Sequence, residues 1–197
     1  MQILIGKNIL IKLNRANAIL SKLRHYIKNQ TLISVYHSIF ESHFNYANIV
    51  WGQKVDSTHR LFLLQKKAIR ILNFEDRNSH STPLFQKSKI LKFYDKISIE
   101  NCIFINKAIN KILPLSFQCW FTFSSSYHNH CLRSSNLGTL RVPSFKTKSH
   151  GRYSFIVNAT YTWNNIQKQL KSNTFLFKSN PKKIKTILKN FYLQDYT

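Results

Sequence analysis

Residues 11–52 read IKLNRANAILSKLRHYIKNQTLISVYHSIFESHFNYANIVWG, and their pattern is that of two amphipathic helices joined by a turn. Ile9, Leu13, Ala16, Leu20, Leu23 and Ile27 recur at spacings of three and four. A helix gathers residues so spaced into one apolar stripe. Lys7, Arg15 and Lys22 fall on the opposite face. Asn29 to Thr31 interrupts the pattern with residues that cap helices well. Leu32, Val35, Tyr36, Ile39 and Phe40 then begin a second stripe, with Tyr46, Ile49, Val50 and Trp51 behind it as bulky anchors. Neither stripe is stable in water alone, which predicts an αα-hairpin.

Downstream, a polar stretch from Gln53 to Thr58 precedes a third predicted helix, about His59 to Asn73. Leu61, Leu64, Ala68, Ile71 and Leu72 share one face of it, and Arg60, Lys66, Lys67 and Arg70 share the other. Glu75 to Thr82 reads as a loop, and Pro83 suits the first turn of a short helix capped by Ser81 or Thr82. Asp95 is placed to cap a helix over about 96–113, whose face of Ile97, Cys102, Phe104, Ile105, Ala108, Ile109 and Ile112 is closed by Pro114. From there the texture changes. Aromatic residues cluster around Cys119, and a loop-rich segment follows, with a short strand expected at Leu140 to Val142 and extended character at Tyr153 to Val157. Tyr161 to Leu170 reads as helix. A last helix is capped by Asn180, opened by Pro181 and striped by Ile184, Ile187, Leu188, Phe191 and Tyr192. The fold class predicted is mainly α: a helical hairpin or bundle over 1–121, then a loop-rich region with short strands and a terminal helix over 122–197.

Charge bounds the partner. Thirty Lys and Arg stand against seven Asp and Glu, a net charge of +23 in 197 residues. Such a chain repels itself unless phosphates or counterions gather on it. An AT-rich coding sequence would enrich Lys, but it would enrich Glu as well, and only Glu41, Glu75 and Glu100 are present. The acid depletion therefore points to a polyanion. The three cysteines, Cys102, Cys119 and Cys131, do not describe a disulfide framework, so a reducing, intracellular setting is expected. No apolar run approaches ~20 residues, and Met1 to Leu13 is broken by Lys7 and Lys12 and lacks a cleavage site, so neither membrane span nor signal peptide is expected.

Several stretches resemble a known family. Leu13-Asn14-Arg15-Ala16-Asn17-Ala18-Ile19-Leu20, Lys22-Leu23-Arg24, Phe44-Asn45-Tyr46-Ala47 and Val50-Trp51-Gly52 look like the segment that follows the palm in non-LTR (LINE-type) retrotransposon reverse transcriptases. Leu64-Gln65-Lys66-Lys67-Ala68-Ile69-Arg70-Ile71, His80-Ser81-Thr82-Pro83-Leu84-Phe85 and Ile90-Leu91-Lys92-Phe93 are similar to later motifs of that family. His128-Asn129-His130-Cys131-Leu132-Arg133-Ser134-Ser135, Gly138, Pro143-Ser144-Phe145, Thr147, Ser154 and Trp163-Asn164-Asn165 look like its carboxyl end, although Cys131 and Leu132 replace more polar residues. The resemblance spans nearly the whole chain. It implies a thumb-like helical hairpin that steadies an RNA or DNA template–primer duplex, cut from a parent whose palm, or a full-length element, would be its partner.

Nucleotidyl transfer needs carboxylates that hold two metal ions about 4 Å apart. In the family these come from the palm. Here the only adjacent acids are Glu75-Asp76, beside basic residues, and no Gly-rich phosphate loop or Gly-X-Ser-X-Gly elbow occurs. No catalysis by the chain alone and no cofactor are expected. The expected function is sequence-tolerant binding of the nucleic-acid backbone through Arg60, Lys66, Lys67, Arg70, Arg15 and Lys22. Two alternatives stand beside it. One is an inactive structural fragment. The other is a zinc-dependent module built on Cys119, His128, His130 and Cys131, whose spacing suits zinc poorly because adjacent His130 and Cys131 can rarely bind one ion.

Overall fold

Helix α1, Gln2–Leu23, turns its first stripe inward: Ile9, Leu13, Ala16 and Leu20 are buried, and Leu23 and Ile27 pack partly covered at its end. The structure, a computed structural model, describes residues 2–45, 48–53, 55–126, 138–147, 151, 154–170 and 180–196, without the side chains of 2–7, 51 and 55–57. The expected anchors Tyr46 and Trp51 and the His128–Ser135 stretch thus lie outside the described residues or side chains. Lys28 takes an extended backbone (φ −64°, ψ 150°) just before α2, Asn29–Val35. Asn29 to Thr31 therefore opens the second helix instead of separating the two. The break falls at 24–28, a turn that ends on extended Lys28.

Helix α2 runs directly into a π-helical stretch, Tyr36–Glu41, and on into α3, Ser42–Asn45. An α turn holds too few residues to keep positions four apart in line, and a wider π turn corrects the drift. Leu32, Tyr36, Phe40 and Phe44 accordingly form one fully buried row. The rings of Tyr36 and Phe40 stack at 5.1 Å, and that of Phe44 meets Phe40 edge-on at 5.1 Å. After α4, Asn48–Trp51, the chain passes through Gly52, where a Cβ would lie 2.5 Å from the Asn48 carbonyl oxygen and 2.7 Å from Ile97 Cδ1. Only glycine fits there. Helix α5 is Val55–Leu72, α6 is Thr82–Lys87 with Pro83 in its first turn, and α7 is Phe93–Ile109. Neither expected cap acts as one. Ser81 makes no side-chain cap bond, and Asp95 lies inside the first turn of α7, where its carboxylate accepts from the Tyr196 hydroxyl.

The chain divides into two units, Met1–Ile97 with Asn190–Thr197, and Ser98–Lys189. These do not follow a division at residue 122, because the last residues join the first core: Tyr196 is buried there, Leu193 packs against it, and the Lys92 N–H donates to the Tyr196 hydroxyl at 2.9 Å. Gln65 is the polar hub of this unit. Its Nε2 donates to the Tyr36 hydroxyl (3.2 Å) and the Leu91 carbonyl (2.9 Å), and its Oε1 accepts from the Phe93 N–H (2.8 Å).

In the second unit Phe104 is ringed by Phe117, Trp120, Phe121 and Phe155, with centroids 4.9–6.3 Å away. It comprises most of α7, a short α8, Leu115–Gln118, helix α9, Phe155–Leu170, and most of α10, Pro181–Gln194. Residues 155–157, expected to be extended, open α9 instead. The strand expected at Leu140–Val142 reduces to an isolated antiparallel bridge between Phe123 and Leu140. Asn164 holds that segment by two bonds, accepting from the Leu140 N–H at 2.8 Å and donating to its carbonyl at 2.9 Å. Fully buried Trp163 donates from Nε1 to the Gly138 carbonyl at 3.1 Å. Ile112, expected in the apolar face of α7, is 60% exposed because the helix ends at Ile109 and Lys111 turns to φ 57°. Asn180 caps α10 as expected, its Oδ1 accepting from the Lys182 N–H at 3.1 Å. The fold is mainly helical, and no described helix is long and apolar enough to cross a membrane.

Candidate nucleic-acid interface

Two relationships set α1 beside α5. Asn17 Nδ2 donates to the Leu64 carbonyl at 3.1 Å, and the Arg24 guanidinium lies 5.2 Å from the Phe74 ring centroid. Both contacts advance in the same chain direction, so the helices run parallel. Small residues on α1, with Asn14, Asn17, Ala18 and Ser21 at spacings of three and four, leave a groove between them of about 600 Å³. Lys67 and Arg70 line it from α5, Arg24 from the turn after α1, and Arg77 from the loop after α5. Four cations thus face one carboxylate, that of Glu75.

The local chain explains how the cations are held. Arg70 Nε donates to the Ser79 carbonyl at 2.9 Å, a bond that does not use its two terminal nitrogens. Ser79 in turn donates from its N–H (3.2 Å) and its hydroxyl (2.8 Å) to the Asp76 carbonyl, a closed turn that carries Arg77. The carbonyl end of a helix favours a cation, which accounts for Arg24 and Arg70 but not for Lys67 or Arg77. Two buried polar atoms in the lining have no hydrogen-bond partner: Arg24 Nε, a donor, and Asn17 Oδ1, an acceptor in a side chain 2% exposed. Such atoms are costly unless something else satisfies them.

The six residues expected to bind nucleic acid separate accordingly. Lys67 and Arg70 are brought together in the groove. Arg60 is exposed on the same helix, about 10 Å earlier by helix rise. Lys66 is drawn down so that its ammonium lies 4.7 Å from the Phe62 ring centroid, where a ring face attracts it. Arg15 and Lys22 are exposed on α1 and do not line the groove. Arg24 and Arg77 escaped selection because each lies in a turn, where helical periodicity has nothing to report. Their signal was only adjacency to the basic helix ends.

Other ionisable groups serve packing. Burial works against the Glu41 carboxylate, but the ammonium of Lys96 and the imidazole of His37, both bonded to it, hold its pKa below the usual carboxylate range. Burial pushes the Asp95 carboxyl up, partly offset by its Tyr196 hydrogen bond and by Lys92. Burial also raises the Cys102 thiol, which suits an inert core residue. Among the described residues no three His, Cys, Asp or Glu side chains are grouped to hold a metal. Cys119 is exposed, and His128, His130 and Cys131 lie outside the described residues. In comparisons with known proteins, no family model, curated protein or solved structure matches this chain.

Proposed function

We propose that this chain is a post-palm, thumb-like and carboxyl-end part of a non-LTR retrotransposon reverse transcriptase, and that it binds the nucleic-acid backbone without catalysing nucleotidyl transfer by itself. One observation carries the reading. Two of the stretches on which the resemblance rests, 13–24 and 64–71, bury most of their apolar residues in the core and bring part of their polar ones, Asn14, Asn17, Arg24, Lys67 and Arg70, to one groove. Phosphates replacing counterions there would supply affinity independent of sequence. The partner would be a template–primer duplex, with the parent's palm as a second. Binding of an RNA–DNA hybrid across a salt series tests this: a falling log–log line of slope about −3 or steeper is expected. No saturable binding at low salt would overturn it.

An inactive structural fragment is the competing reading, and it too has an observation in its favour. Gly52, Gly138, Trp163 and Asn164 belong to the resembling stretches and are accounted for by packing and hydrogen bonds alone.

A further inference from the structure

Phe74 follows α5 in the left-handed region, at φ 59°. Glycine or asparagine ordinarily fills that position, because a Cβ crowds the next carbonyl. Two helix-end bonds hold the backbone there, from the Phe74 N–H to the Ile71 carbonyl (3.3 Å) and from the Glu75 N–H to the Arg70 carbonyl (3.0 Å). The strain yields little burial in return, since the side chain is 48% exposed. Arg24 lies over the ring and also lines the groove. A half-open aromatic ring, backed by a guanidinium and set beside a cationic groove, is the pairing that single-stranded nucleic acid requires: a platform for a base and charges for its phosphate.

We propose that the groove receives an unpaired nucleotide, its base stacked on Phe74 and its phosphate held among Arg24, Lys67, Arg70 and Arg77. The proposal rests on the nucleic-acid reading above and adds to backbone binding a place for one unpaired nucleotide, as at the end of a duplex. Duplex bases are already stacked on one another and offer Phe74 no face except at an end.

Fluorescence anisotropy with an oligothymidylate of about 15 nucleotides, and with a blunt duplex of similar length, tests this on the full chain and on Phe74→Gly and Phe74→Leu. Phe74→Gly removes the ring and relieves the backbone, so it should melt no lower than the wild type. Its affinity for the single strand should fall about 5- to 100-fold, the range for losing one stacked base, while duplex affinity stays within about twofold. Phe74→Leu keeps apolar bulk without a π-face and should lose the single strand similarly. Unchanged single-strand binding in both variants overturns the proposal, and so does an equal loss on duplex. If changing Arg24, Lys67, Arg70 and Arg77 to Gln still abolishes binding in that case, the backbone reading survives without the base platform. If the wild type binds neither form, the backbone reading fails first.

Discussion

Asn17 donates to the main-chain carbonyl of Leu64 at 3.1 Å across 47 residues of sequence, and this bond joins the two walls of the basic groove. One side chain thereby links packing to charge placement. Its amide nitrogen holds α5 against α1, while its buried oxygen has no partner.

Replacing Asn17 by Ala should lower stability by about 1–2 kcal/mol, the loss of one buried hydrogen bond plus a small void. Urea midpoints of the two proteins check this. No change would mean that the Leu64 contact contributes nothing to the pairing of α1 and α5.

The apolar stripe of α1 makes a graded prediction. Leu20 is fully buried, and Leu20→Ala should cost about 2–5 kcal/mol. Leu23 is only partly covered, so Leu23→Ala should cost about 1 kcal/mol. Equal midpoints for these two variants would contradict the observed placement of α1. Tryptophan quenching should separate likewise, with fully buried Trp163 protected and Trp120, 37% exposed, accessible.

Gln65→Leu should be among the most destabilising single changes, about 3 kcal/mol or more. It takes away the acceptor used by the Phe93 N–H and the donor used by the Leu91 carbonyl and the Tyr36 hydroxyl. Tyr36→Phe removes only one of these bonds and should cost about 1 kcal/mol. Thermal melts of the pair give the comparison, and a reversed order would show that Gln65 is not the hub.

These residues show what the sequence made legible. The stripes of α1, α5 and α10 were, because periodicity reports burial directly. Gln65 was not, because a buried amide in the middle of Leu64-Gln65-Lys66-Lys67 looks like surface until Phe93 and Tyr36 are brought to it. The π-helical stretch escaped for a similar reason: Tyr36 and Phe40 read as apolar whichever helix carries them. The groove was half visible. Lys67 and Arg70 follow from the basic face of α5, but Lys66 is diverted by Phe62, and Arg24 and Arg77 arrive by turns whose course depends on tertiary packing. Helix ends were the weakest part, as Asn29, Asp95 and Ile112 each show.

Acid sensitivity should follow Glu41. Lys96 and His37 hold its carboxyl below the usual range in spite of burial, so the native state binds fewer protons there than the unfolded chain does. Its contribution is present above the ordinary carboxylate pKa and is lost as the pH falls through the depressed value. Asp95, pushed up, acts with the opposite sign, its contribution fading as the pH rises. Urea midpoints from pH 3 to 6 should therefore fall less steeply toward acid in Glu41→Gln than in the wild type. An identical pH profile would contradict the assignment.

The central claim is that the groove, and not the net charge of +23, binds nucleic acid. Two variants of matched charge test it most directly. One changes Arg24, Lys67, Arg70 and Arg77 to Gln, and the other changes Lys182, Lys183, Lys185 and Lys189, exposed on α10, to Gln. Each loses four positive charges, and circular dichroism establishes that each remains folded. Anisotropy titrations of both against one labelled hybrid, from about 50 to 200 mM salt, supply the measurement. The groove variant should bind at least about tenfold more weakly, with a salt slope flatter by up to about four units, while the α10 variant keeps wild-type affinity within about threefold. Equal losses in the two variants, or a folded groove variant with an unchanged slope, would contradict the account.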